Sequence, residues 1–191
     1  MNVPNIIRPF GGVTGITMQP NGLDLGLDKD SVTSIQKLST VSGSSTLSIG
    51  EVDTAKAVVV VNDPGPLRLD YLPIVSFANG TTLNTVMYSG AAVNAAHNLT
   101  VIEFSKIKSL QPGFLADTGA TGTANITISA VDTSKALAFC SFACNDTGYH
   151  SLGYWGSWWS AAFNFASSTL LRLNPGGGYQ TKVAWFVVEF L

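Results

Sequence analysis

Few residues in this chain of 191 are of types that carry out chemistry, and none sits at a spacing that a reaction requires. The histidines, His97 and His150, have no Cys, Asp or Glu at metal-ligand spacing, so neither predicts a zinc site. Cys140 and Cys144 lie four positions apart in a probable strand and its exit, where a disulfide would need a sharp bend, so two free buried thiols are expected. Glu103 and Glu189 end similar words, and paired carboxylates can do acid–base work. Here they read more simply as outward charges that blunt the edge of a terminal strand. Asp53 with Lys56 and Asp132 with Lys135 read as turn-stabilising pairs. There is no nucleophile elbow, H-E-x-x-H, calcium loop or phosphate-binding glycine loop, and Gly176-Gly177-Gly178 reads as a loop device. No catalytic residue, metal or cofactor is expected.

The elements that would have to position any site are strands, and they come in two sets. Ser34-Ile35-Gln36 is answered by Ser109-Leu110-Gln111, 75 positions later. Val52-Asp53-Thr54-Ala55-Lys56-Ala57 is answered by Val131-Asp132-Thr133-Ser134-Lys135-Ala136 at 79, and Asn62-Asp63 and Tyr71 by Asn145-Asp146 and Tyr154 at 83. Thr82-Leu83 matches Thr169-Leu170 at 87, and Val101-Ile102-Glu103-Phe104 matches Val187-Val188-Glu189-Phe190 at 86. An offset that grows in small steps while the order is kept suggests two copies of one fold that differ by insertions between strands.

Within each copy, Thr46 to Ile49 and Asn125 to Ser129 alternate apolar with small polar residues, the period of a half-buried strand. Val58 to Val61 and Leu137 to Phe142 continue as β-branched or aromatic runs, and Asp53 and Asp132 suit an Asx turn between them. No stretch of ten residues keeps a capped helical period. The expected fold is all-β: an extended N-terminal arm (1–30) and two tandem antiparallel β-sandwich, jelly-roll-like modules (31–105 and 106–191). The arm holds Pro4, Pro9 and Pro20 and cannot build a core alone, yet Ile6, Ile7, Phe10 and Ile16 are apolar enough to anchor it on another surface, such as a neighbouring subunit.

The densest local feature is the stretch from Tyr149 to Phe165, with Tyr154, Trp155, Trp158, Trp159 and Phe163 close together. Three readings stay open: a subunit interface, where Trp and Tyr are enriched; a surface that stacks on sugar rings; or core filling. In a strand, adjacent Trp158 and Trp159 would face opposite sides, so at least one would lie outside the module's own core.

Composition narrows the partners. Only 12% of residues are charged, half the usual quarter, and mean hydropathy is +0.27. Disorder is excluded on that ground, and ten singly spread Lys and Arg make no stripe for nucleic acid. The apolar runs are of strand length, short of the roughly 20 residues of a membrane helix, and the first residues lack the pattern of a secretory signal. Four Asn-x-Thr words, at Asn79, Asn98, Asn125 and Asn145, carry no weight in an Asn/Thr-rich chain. Modules of about 80 residues bury only roughly 60 to 65% of their surface, so the missing charge points to covered faces: module on module, arm on neighbour, aromatic patch on a partner or sugar.

The order Ser-(Ile/Leu)-Gln, Thr/Ile alternation, Val-Asp-Thr-(Ala/Ser)-Lys-Ala, Thr-Leu and a final (Ile/Val)-Glu-Phe resembles a segment common in structural proteins of tailed bacteriophages. The likeness covers both modules, about 160 residues, and not the arm. It implies a non-enzymatic virion component assembled in the host cytoplasm. A head position, as a capsid decoration or minor capsid (cement) protein, suits an arm plus two compact modules. Its expected partners are itself, as a homo-oligomer with a trimer as the expected order, and the major capsid or other virion proteins. The alternative is a tail fibre or tip module in which the aromatic patch binds a receptor or host-surface glycan.

Overall fold

The computed structural model describes residues 17–19, 22–24, 31–62, 72–116, 124–145, 162–174 and 181–191. Among them are fourteen strands and no α-helix, and all strand pairs are antiparallel. The protein is all-β. In the arm, β1 (Thr17–Gln19) pairs with β2 (Gly22–Asp24), so this part folds back on itself rather than running extended.

Six strands follow: β3 (Val32–Ser39), β4 (Thr46–Ser48), β5 (Ala57–Val61), β6 (Ile74–Asn79), β7 (Thr82–Val86) and β8 (Asn98–Phe104). They form two sheets, ordered β3-β8-β5 and β4-β7-β6. The next six are β9 (Ile107–Leu115), β10 (Ala124–Thr127), β11 (Ala136–Cys144), β12 (Ala162–Ser167), β13 (Leu170–Asn174) and β14 (Thr181–Phe190). Their sheets are β11-β14-β9 and β10-β13-β12. In both sets the sixth strand lies between the first and third, and the fifth between the second and fourth. We call these sets the first and second repeats.

Alternation explains the strands individually. Along β3, Val32, Ser34, Gln36 and Leu38 are half-buried while Thr33, Ile35, Lys37 and Ser39 face solvent, which leaves Ile35 exposed. Strand β14 departs from alternation. Its interior is buried almost without a break, as in a strand covered on both faces. Val183, Trp185 and Val187 join Ile126, Leu171 and Leu173 in one apolar cluster, so the two sheets of the second repeat share a core. Phe186 and Val188, on the opposite face of β14, join Val58, Val75, Leu83, Val101 and Ile102 in the core of the first repeat. Burying a side chain such as Phe186 contributes on the order of 1.5–3 kcal/mol, so the second repeat supplies a substantial part of the first repeat's core.

Packing requires glycine at two described positions: a Cβ on Gly80 would come within 2.7 Å of the Val52 carbonyl oxygen, and Gly113 is the other. Gly113 in β9 sits opposite Trp185 in β14, and a Cβ there would run into the indole ring. Two others, Gly43 and Gly90, have φ of 82° and 83°, the left-handed region in which only glycine is unstrained.

Candidate functional sites: two glutamate clasps and the junction between repeats

The words shared by the two copies converge in space. In the first repeat, Ser34 stands opposite Glu103 across the β3/β8 ladder and donates its hydroxyl to Glu103 Oε2 at 3.1 Å. Glu103 Oε1 accepts the Asp53 N–H at 3.0 Å. Asp53 in turn accepts the Ala55 N–H on Oδ1 at 3.0 Å, closing the Asx turn expected there. Two residues along β3, the Gln36 amide makes a two-way bond with Gly50, accepting its N–H at 2.8 Å and donating to its carbonyl at 3.1 Å.

The second repeat makes the same set. Ser109 donates to Glu189 Oε2 at 3.3 Å, Glu189 Oε1 accepts the Asp132 N–H at 2.8 Å, and Asp132 accepts the Ser134 N–H at 3.0 Å. Gln111 clasps Ser129 in both directions, at 2.7 and 3.1 Å. Lys108 adds a bond to Glu189 Oε1 at 2.9 Å. The backbone follows suit: Phe104 N–H donates to Lys56 and Phe190 N–H to Lys135. The Ser-x-Gln, Val-Asp-Thr and Glu-Phe words therefore serve one clasp in each repeat, which ties its first and sixth strands to the turn before the third.

This corrects the reading of the two glutamates as edge charges. Strands β8 and β14 are the middle strands of their sheets, and Glu189 is only 1% exposed. The error has a clear source, because strand order is a tertiary property that the end of a chain does not disclose. Donors from the Asp132 backbone and Lys108 hold the Glu189 carboxyl below the ordinary carboxylate value. The Ser134 hydroxyl and N–H do the same for Asp132. A carboxylate kept ionised and occupied in this way is suited to holding a turn, not to exchanging protons near neutrality.

A second correction concerns alignment. Leu83 pairs with Leu47, and Leu171 with Ile126, and both leucines are fully buried. Thr81 and Thr169 carbonyls accept the equivalent Ile49 and Ile128 N–H groups. The equivalent of Leu83 is thus Leu171, 88 positions on, rather than Leu170 as the Thr-Leu match suggests.

The step from 79 to 83 also acquires a place. Strand β5 has five residues and β11 nine, and the four additional ones, Ser141 to Cys144, pair with Thr181 to Ala184 of β14. This extension forms the junction with the first repeat. Ser141 Oγ accepts the Val75 N–H at 2.8 Å and lies 3.3 Å from the Val75 carbonyl as donor, occupying both backbone groups of a residue on the edge strand β6. Ala143 and Ala184 cover Ile74. The Phe77 and Phe186 rings meet edge to face with centroids 6.0 Å apart. Lys182 Nζ bonds the Tyr88 carbonyl at 2.7 Å and lies 4.7 Å from the centre of its ring. Ser141 was not singled out in the sequence; the change of offset between repeated words is the signal that points to it.

Of the expected binding residues, Tyr149, Tyr154, Trp155, Trp158 and Trp159 lie outside the described residues, as do Ile6, Ile7, Phe10 and Ile16 of the arm and His150. For Phe163 only the backbone is described, paired with Leu173. His97 is buried, its N–H donating to Thr40 Oγ1 at 2.8 Å and its carbonyl accepting the Thr40 N–H at 2.9 Å. Cys140 is a free cysteine, and desolvation pushes its thiol up to about 12. Four positions of strand separate it from Cys144 by ~13 Å, too far for a disulfide. Among the described residues no group of three or more His, Cys, Asp or Glu could hold a metal ion.

Comparison with protein-family models, curated proteins and solved structures gave no match to this chain.

Proposed function

We propose that this chain is a non-enzymatic structural protein of a bacteriophage virion, built as two tandem antiparallel sandwich modules and acting as a capsid decoration or minor capsid (cement) protein. The observation that carries this reading is the pair of glutamate clasps. The words that resemble virion proteins are the ones engaged in the clasps, and both carboxylates are committed to backbone turns and hydroxyls. The work done by such a chain is mechanical. Its sheets are pinned by side chain to backbone bonds at matching places, and its low charge leaves neutral surface to be covered by neighbours. Each square ångström of apolar surface so covered contributes about 25 cal/mol, summed over many copies in a symmetric shell.

The test is addition of purified protein to capsids that lack it. Saturable binding, together with elution of the free protein as an oligomer, supports the proposal. A monomer by light scattering that leaves such capsids bare overturns it.

A further inference from the structure

The hairpin between β6 and β7 carries an Asn-Gly pair that neither the clasps nor the junction uses. Asn79 ends β6, Gly80 and Thr81 make the turn, and Thr82 begins β7. Asn79 and Thr81 are exposed, and Gly80 is half-buried. Among the described asparagines only Asn79 precedes a glycine.

The turn sets up attack on the Asn79 amide by its own backbone. Asn79 Oδ1 accepts the Thr81 N–H at 2.9 Å and the Thr81 hydroxyl at 3.0 Å. Two donors on one carbonyl oxygen draw charge from Cγ, and they stand where negative charge gathers once a nucleophile adds to that carbon. The nucleophile is the Gly80 nitrogen, next in the chain, whose N–H bonds no described residue. Packing against the Val52 carbonyl keeps a side chain off Gly80, so nothing shields that nitrogen. The departing group, Nδ2, has no partner among the described residues and is open to protonation by water.

The second repeat keeps the framework without the reactive group. In its turn, Thr169 N–H donates to Ser167 Oγ at 3.2 Å, and Val131 N–H donates to the Ser168 carbonyl at 2.9 Å, as Val52 N–H does to Gly80. Ser167, in the place of Asn79, offers no carbonyl carbon to attack.

We infer that Asn79 is a self-modification site, converted to aspartate and isoaspartate through a succinimide formed with Gly80. The Gly80 nitrogen gives up its proton to solvent and bonds Asn79 Cγ, placing the oxyanion on Oδ1. Collapse breaks the Cγ–Nδ2 bond, and Nδ2 takes up a proton and leaves as ammonia. Water then opens the ring, at Cγ to give aspartate or at the backbone carbonyl to give isoaspartate. The balance is one water in and one ammonia out, with no change of oxidation state. Each event adds one negative charge to a chain of formal charge -2. Isoaspartate also lengthens the backbone ahead of Gly80 and Thr81, whose carbonyls hold the Val52 and Ile49 N–H groups at 2.9 Å each. The mark therefore loosens the stretch that leads into the Asp53 turn, in the first repeat alone.

The test follows Asn79 in the folded full-length protein by peptide mapping and mass spectrometry during incubation at mildly alkaline pH. Asn79 should convert first among the described asparagines, to both products, and faster as pH rises, because attack needs the deprotonated nitrogen. Asn21 also precedes a glycine but lies outside the described residues, and mapping reads it separately. Thr81→Val removes the hydroxyl donor and should slow conversion roughly fivefold, the rate equivalent of one hydrogen bond, while Thr81→Ser keeps the unmodified rate. In the converted protein, amide exchange should quicken at Ile49 and Val52 and stay unchanged at Ile128 and Val131. An Asn79 that stays wholly amide over the time in which the urea-unfolded chain converts completely overturns the inference. So does conversion in Thr81→Val that matches or exceeds the unmodified rate, since the turn would then shield the amide. If Thr81→Val does not fold, the order of conversion in the unmodified protein decides, and any other described asparagine converting first overturns the inference.

Discussion

The Glu189 carboxylate accepts the backbone N–H of Asp132 at 2.8 Å, across 57 residues of chain, and the Glu103 carboxylate accepts that of Asp53 at 3.0 Å across 50. Each bond fixes the turn before a third strand to the sixth strand of the same sheet. A side chain near the end of each copy thus decides where a turn in its middle can lie.

Replacing Glu189 by Gln should lower the melting temperature near neutral pH. The sign with pH follows from linkage. The folded carboxyl is held below its ordinary value of 4.5, so its contribution is complete above that value and disappears as pH falls through the lowered one. The gap in melting temperature between the two proteins should therefore be largest near neutral pH and narrow as the pH falls below 4.5. A gap that widens with acid contradicts the clasp.

Gly113→Ala should destabilise by about 1–3 kcal/mol in urea unfolding, because its methyl group meets the Trp185 ring. The equivalent cross-strand pair in the first repeat is Leu38 with Leu99. Combining Gly113→Ala with Trp185→Leu should then cost measurably less than the sum of the single changes. Additive losses would show that the indole does not occupy this space.

Ser141→Ala removes the acceptor of the Val75 N–H and leaves that group buried. The expected cost is about 1–3 kcal/mol, with amide exchange at Val75 accelerated relative to β13 and β14. Uniform acceleration across both repeats would deny Ser141 a local role at the junction.

Thr85 carries a buried hydroxyl with no hydrogen-bond partner among the described residues. Thr85→Val keeps the shape and removes the unsatisfied group, so stability should be unchanged or raised by up to about 1 kcal/mol. A loss of more than that in urea unfolding would reveal a partner for the hydroxyl.

Much of the fold was legible in the chain. Alternation at Thr46 to Ile49 and Asn125 to Ser129 located strands whose observed bounds are Thr46–Ser48 and Ala124–Thr127, and Asp53 and Asp132 form the Asx turns their position implies. The clasps were visible only as repeated words, because Ser34, Gln36 and Glu103 are brought together by pairings between distant strands. The junction was harder still. A change of offset says that residues were added without saying whether they lengthen a loop or, as at Ser141 to Cys144, a strand. The match of Thr82-Leu83 to Thr169-Leu170 slipped by one residue because a two-letter word has no register of its own, whereas a buried leucine opposite a partner strand does.

The virion role is tested most directly by electron microscopy of purified particles carrying a labelled copy of this chain. A structural head protein places the label at regular positions over the capsid. Particles that are infectious and complete yet carry no label, or label confined to the tail tip, would contradict that role in the head.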